Sequence, residues 1–160
     1  MIETLMAAWD QWEADRPPAE RALTQVAFQA LVAGWAPTVA ALAPVGEVSQ
    51  NTLAHTLETM VTQGLATVEG DRITGIGGLS LVPAPHALQW QGRAYWTWCA
   101  LDAIGIPAAL GGPATVSSRI APKGDAVTLC FDDGMWQHPD PTLGIRLAEP
   151  AMARPLCGGT

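Results

Sequence analysis

Charged residues are scarce in this sequence, and positively charged ones are the scarcest. The 160 residues include 8 lysines and arginines against 15 aspartates and glutamates, which gives a formal net charge of -7. A protein that binds nucleic acid or an anionic membrane needs a basic surface, so this balance argues against both kinds of partner. Hydrophobic residues make up 49% of the chain, enough for the core of one ordinary domain or two small ones.

The sequence also lacks the features of an exported or membrane-spanning protein. Residues 1–4 carry no basic start, and no long apolar core follows them. No apolar run is long enough to cross a bilayer. Three cysteines are an odd number, which favours reduced thiols over a disulfide framework. We therefore expect a cytoplasmic protein.

Conventional catalytic and metal-binding patterns are missing as well. The histidines His55, His86 and His138 stand singly, without the spacing of metal ligands, and are interpreted as surface or capping residues. Ser117 and Ser118 have no evident base partner and are interpreted as polar residues of a strand.

The first half of the chain predicts helices followed by a hairpin. Apolar residues recur there at helical spacing, and Ser49 is a plausible N-cap. The order of helix, helix and hairpin is typical of a winged helix. Residues 49–63 contain no lysine or arginine, however, so a DNA-binding regulator is disfavoured. The predicted helices cover residues 1–14, 19–33, 38–43 and 50–63, and the predicted hairpin strands cover residues 65–68 and 72–74.

The second half predicts several short strands around one helix. Its start, residues 75–78, is glycine-rich and is expected to be a flexible joint. The predicted fold class is therefore α+β: a winged-helix-like helical part, residues 1–75, packed against a small mixed β-sheet with a central cysteine-bearing helix, residues 76–160. The predicted strands cover residues 79–82, 87–90, 114–120, 126–131 and 144–147.

An apolar, aromatic-rich stretch at residues 94–107 is the most informative part of the sequence. If it is helical, Cys99 and Asp102 lie on one face, about one turn apart. A deprotonated thiol is a soft metal ligand, and a buried carboxylate needs a partner or a task. The alternatives stay open: Cys99 is a small buried hydrophobic residue, and Asp102 caps a turn or pairs with an arginine.

This stretch resembles the organomercurial (alkylmercury) lyase family. The resemblance covers residues 95–111, centred on Trp98-Cys99-Ala100-Leu101-Asp102, and continues through the Val-Ser-Ser strand at residues 114–118. It implies that Cys99 is a mercury-binding thiolate and that Asp102, also in contact with the metal, carries the proton. It further implies that residues 76–160 form the catalytic part.

The family's second mercury-binding thiol comes from later in the chain, and Cys157 is the best positional match, with Cys130 as the fallback. The resemblance implies no organic cofactor, with Hg(II) bound as product. It also implies an organomercurial substrate, removal of the product by small cytosolic thiols, and mercuric reductase as the recipient.

A second interpretation comes from the C-terminus. The family continues well beyond its second cysteine, whereas this sequence stops at Thr160. We therefore carry a non-catalytic alternative: a soft-metal (mercury or copper) binding or sensing protein of the same fold.

Overall fold

Within residues 16–137 of the described ranges, three helices precede an eight-stranded sheet, and a fourth helix connects two of its strands. The structure is a computed structural model, and it describes residues 11, 13–46, 48–120, 124–137 and 142–143. The helices are α1 (Pro18–Val32), α2 (Val39–Gly46), α3 (Gln50–Thr62) and α4 (Ala100–Leu110). The strands are β1 (Ala66–Glu69), β2 (Arg72–Ile76), β3 (Leu79–Ser80), β4 (His86–Trp90), β5 (Arg93–Thr97), β6 (Ala114–Ile120), β7 (Asp125–Asp132) and β8 (Met135–Gln137).

The predicted helices α1 and α3 are confirmed nearly to the residue. Along α1, Leu23, Ala27 and Leu31 recur every four residues and are completely buried, which is the apolar stripe expected of a surface helix. Ser49 caps α3 as predicted, because its Oγ accepts a hydrogen bond from the backbone N–H of Thr52 at 3.1 Å.

The sheet differs from the small mixed sheet that the sequence predicted. Its strand order is β1-β2-β3-β5-β4-β6-β7-β8, and every pairing among the described strands is antiparallel. Short turns make this possible, since antiparallel neighbours need only a few connecting residues. A mixed helical and antiparallel fold is the result.

The prediction of a helix over residues 94–107 is wrong in its first half. Residues 93–97 form strand β5, which pairs with β4 through a two-residue turn at Gln91 and Gly92. Both turn residues have positive φ, 48° and 74°, as the tightest hairpin turns require. The alternation in β5 is clear as well, because Tyr95 and Thr97 are buried while Ala94 is exposed.

The predicted flexible joint at residues 75–78 is instead the end of strand β2 and a hairpin turn within the sheet. Gly77 and Gly78 have φ of 60° and 83° and connect β2 to β3. Gly75 and Gly78 are both buried. Having no side chain, Gly75 and Gly78 allow other side chains to pack closely against the backbone.

Backbone and side-chain bonds connect the helices to the sheet. The Tyr95 hydroxyl donates to the Val32 carbonyl at the end of α1 at 2.6 Å. The N–H of Ile73 donates to the Pro37 carbonyl at 2.8 Å. The division into parts 1–75 and 76–160 stays a prediction, and its boundary falls at the last residue of β2.

Other predictions fall outside the described residues. These are most of the helix over residues 1–14, the strand over residues 144–147, His138 and Cys157. No helix within the described ranges is long and apolar enough to cross a membrane.

Candidate functional site

Cys99 is the N-cap of helix α4 rather than a residue within it. Its backbone is extended, with φ -133° and ψ 170°, and the helix begins at Ala100. The Cys99 thiol accepts a hydrogen bond from the backbone N–H of Asp102. A sulfur atom at a helix N-terminus lies where the peptide dipoles favour negative charge, so this position suits a thiolate.

Asp102 completes a capping box with Cys99. Its Oδ2 accepts a hydrogen bond from the backbone N–H of Cys99 at 3.2 Å. One of the alternatives from the sequence, that Asp102 caps a turn, is therefore correct. The cap also brings the carboxylate and the thiol together, since each accepts a bond from the backbone of the other residue.

The β2–β3 turn packs against both flanks of Cys99. The N–H of Trp98 donates to the Gly78 carbonyl at 3.1 Å. The Asp102 carboxylate lies so close to Gly78 that a methyl group there would be 2.8 Å from Oδ2 and nearer still to Oδ1. A methyl group on Gly75 would be 2.9 Å from the Trp98 ring. Only glycines leave room for these side chains.

A row of polar side chains crosses the sheet beside this turn. Thr97 of β5 lies directly opposite His86 of β4, and the register continues to Ser118 of β6. His86 Nδ1 and Ser118 Oγ are hydrogen-bonded, which corrects the interpretation of His86 as a surface or capping residue and of Ser118 as partnerless. Thr97 Oγ1 is buried and has no hydrogen-bond partner among the described residues.

His86 lies within the electrostatic reach of Asp102. Burial lowers the pKa of His86, and the Asp102 carboxylate raises it to a smaller degree. Burial therefore favours the neutral form of the imidazole. Sequence reasoning missed His86 and Ser118 because 32 residues separate them, and only the strand register brings them together.

Of the other two cysteines, only Cys130 lies among the described residues. Cys130 is exposed, between Leu129 and Phe131, which are buried in the core. Helix α4 contributes Ala103 and Ile106 to that same core, so Cys130 lies on the opposite face of the sheet from α4. Cys157 lies outside the described residues. Within the described ranges, no three His, Cys, Asp or Glu side chains cluster as a metal site.

Comparison with known proteins identifies the family. The alkylmercury lyase (MerB) family model matches residues 79–158, half of the chain, and this range includes Cys99, Asp102 and Cys157. The chain belongs to the alkylmercury lyase family. Its resemblance in sequence is thereby confirmed.

Individual alkylmercury lyases match at moderate identity. The enzyme of Pseudomonas putida is 43% identical over 81 residues, which cover 51% of this chain and 35% of that protein. The Streptomyces lividans enzyme is 38% identical over 77 residues, covering 48% and 35%. The Staphylococcus epidermidis enzyme is 32% identical over 105 residues, covering 64% and 44%. The chain thus spans less than half the length of these relatives.

The fold is shared with a solved member of the family. The mercury-bound form of MerB2 superimposes with a TM-score of 0.70 at 21% sequence identity, over 81% of this chain and 63% of that one. Because 81% of this chain is more than the half that the family model matches, the structural likeness extends beyond residues 79–158.

Proposed function

We propose that this chain is an organomercurial lyase, which cleaves carbon–mercury bonds by thiolate ligation and protonolysis. The observation that supports it best is the capping box, which holds a thiol and a carboxylate together at the N-terminus of α4. Both residues lie within the stretch matched by the alkylmercury lyase family. The hydrocarbon and Hg(II) are the products.

Cys99 is the first mercury ligand in this proposal. Its thiolate displaces a weak ligand from the organomercury cation, because sulfur binds soft metals more strongly than oxygen or nitrogen does. A second thiolate donates further electron density, weakens the carbon–mercury bond and retains the product ion. We assign this second role to Cys157, since the exposed Cys130 lies on the opposite face of the sheet from α4.

Asp102 carries the proton. The carboxylate takes up the proton that a cysteine thiol releases when its sulfur binds mercury. The mercury-bound carbon then accepts this proton from the carboxylic acid, and the electron pair of the carbon–mercury bond forms the new carbon–hydrogen bond. The hydrocarbon leaves, Hg(II) remains on the thiolates, and Asp102 remains as a carboxylate that also lies against the metal. No organic cofactor is needed for this balance.

The remaining parts of the proposal concern partners and architecture. Small thiols in the cytoplasm exchange with the protein thiolates and remove Hg(II), and a mercuric reductase then receives it.

Helices α2 and α3 with the β1–β2 hairpin form a winged-helix-like unit that supports the sheet. Helix α3 carries no basic residue in its last turn, which fits structural support better than binding to DNA.

Replacement of Asp102 by Asn tests the reaction. The variant keeps the size of the side chain and removes the transferable proton, so protonolysis should fall by roughly 100-fold or more while Hg(II) binding persists. The measurement is benzene released from phenylmercury acetate in the presence of excess small thiol. Asp132→Asn, at an exposed position of β7, is the matched control and should keep full activity.

The same assay separates the lyase from the binding or sensing protein. If the wild-type protein binds phenylmercury tightly and releases no benzene, the lyase proposal is wrong and the non-catalytic alternative stands.

A further inference from the structure

The turn between β2 and β3 touches the proposed site on two sides. The Gly78 carbonyl accepts a hydrogen bond from Trp98, the residue before Cys99. The Cα of the same glycine packs against the Asp102 carboxylate, three residues after Cys99. A single residue outside α4 therefore contacts the chain on both sides of the thiol.

We propose that Gly78 is the positioning residue for Asp102, setting where the carboxylate stands relative to the mercury-bound carbon. This inference rests on the proposed lyase function. The Asp102 carboxylate is confined between the N–H of Cys99, at 3.2 Å from Oδ2, and the bare Cα of Gly78. A short side chain has no long stem that could absorb a displacement, so any group added at Gly78 moves the carboxylate itself.

Gly78→Ala is the direct test, and Gly77→Ala is its matched control. Both glycines belong to one turn and have positive φ, so an alanine is strained at either position. The added methyl groups meet different neighbours, however. At Gly77 the methyl group would be 3.2 Å from the Phe28 ring and 3.4 Å from Thr24, with no contact to Asp102.

The kinetic result should separate the two variants. A displacement of about 1 Å at a reacting group can cost about 100-fold in rate, so Gly78→Ala should lower kcat for benzene release by about that factor. Its KM and its Hg(II) affinity should change little, because the thiolates rather than the carboxylate supply most of the affinity for mercury. Gly77→Ala should retain most of the kcat. Equal losses of kcat in both variants would show that only the turn conformation matters and would overturn the inference.

A second measurement works without catalysis. If the methyl group collides with the carboxylate, then removing the carboxylate should relieve the collision. Gly78→Ala should therefore lower the melting temperature less in an Asp102→Ala background than in the wild type, whereas the effect of Gly77→Ala should be the same in both backgrounds. Recovery of folding by Asp102→Ala is the expected result if Gly78→Ala alone does not fold.

The two measurements keep the inference distinct from the proposed function. A wild-type protein that releases no hydrocarbon contradicts the lyase, and the melting temperatures then still report whether residues 78 and 102 are coupled. Additive melting-temperature changes for Gly78→Ala and Asp102→Ala would overturn the positioning role even in an active enzyme.

Discussion

Cys99 and Asp102 act as a pair because each side chain accepts a hydrogen bond from the backbone of the other residue. This arrangement stabilises the start of α4, and removing a helix cap costs about 1 kcal/mol. The proposed chemistry uses the same two acceptors. If Cys99 binds mercury as proposed, its thiolate gives up part of its role as a cap, and we expect substrate binding to loosen the first turn of the helix.

Cys99→Ser should abolish tight binding of Hg(II). Serine keeps the cap, since a hydroxyl is a preferred N-cap acceptor, and it removes the soft ligand. The fold should therefore survive while the affinity, measured by competition with a small thiol, is lost. His86→Ala and Cys130→Ser should leave the affinity unchanged. Wild-type affinity in the serine variant would contradict the assignment of Cys99.

The half-buried imidazole of His86 should make stability depend on pH. Its pKa is lowered by burial, so the unfolded chain binds the proton more readily, with an ordinary pKa of about 6.5. The contribution of this imidazole to the free energy of unfolding should be at its full value above about pH 6.5. It should decrease as the pH falls towards the lowered pKa of the folded state. Denaturant unfolding of the wild type and His86→Gln across this range measures the difference, and the variant should show a flatter profile.

Asp102→Asn should lower the pKa of His86 further. The carboxylate favours the charged imidazole, and the amide removes that attraction. NMR titration of the imidazole proton in the variant and in the wild type reports the pKa of His86 directly. An unchanged His86 pKa would mean that the two groups do not interact in solution.

Among the elements, strand β5 connects the proposed site to the helices, because it leads directly into Cys99 and is hydrogen-bonded to α1. The Tyr95 side chain is 1% exposed, and its hydroxyl reaches the Val32 carbonyl. Tyr95→Phe keeps the ring and removes the only hydroxyl donor in this contact, so we expect a loss of about 1 to 2 kcal/mol in the free energy of unfolding. Denaturant unfolding provides the measurement.

The exposed Thr128→Val on β7 is the control for that substitution, and its effect should stay within about 0.5 kcal/mol. A Tyr95→Phe variant as stable as the wild type would show that α1 and β5 are held together by apolar packing alone.

The elements also show what the sequence could predict. Helices α1 and α3 were predictable because local signals, the four-residue repeat of Leu23 and Ala27 and the Ser49 cap, determine them. The proximity of Cys99 and Asp102 was predictable too, since a spacing of three residues brings them together in a helix or in a capping box. Strand β5 was missed because its aromatic and small residues also suit a helix.

The surroundings of the pair were not predictable from local patterns. His86 meets Ser118 only through the register of β4 and β6. Gly78 meets Asp102 only because β3 pairs with β5, which places the turn beneath the start of α4. Periodicity describes one element at a time, whereas these contacts depend on how several strands align.

For the molecule as a whole, mercury should act as a stabilising ligand. A metal that binds the folded state and not the unfolded one raises the melting temperature in proportion to its affinity. Hg(II) should therefore raise the melting temperature of the wild type, and Cys157→Ala should reduce the increase, as measured by calorimetry. Cys130→Ala should not. The reverse pattern would make Cys130 the second ligand and refute the assignment of Cys157.

The pairing of β3 with both β2 and β5 bears on how such a protein can change during evolution. The family match begins at Leu79, yet a gene segment cut there would encode a sheet whose β3 had lost its β2 partner, and a Tyr95 whose hydroxyl had lost Val32. Exchange of the preceding part by recombination would therefore succeed only if the incoming segment supplied both a compatible edge strand and a carbonyl in reach of that tyrosine. The helices and the stretch around Cys99 therefore depend on each other mechanically.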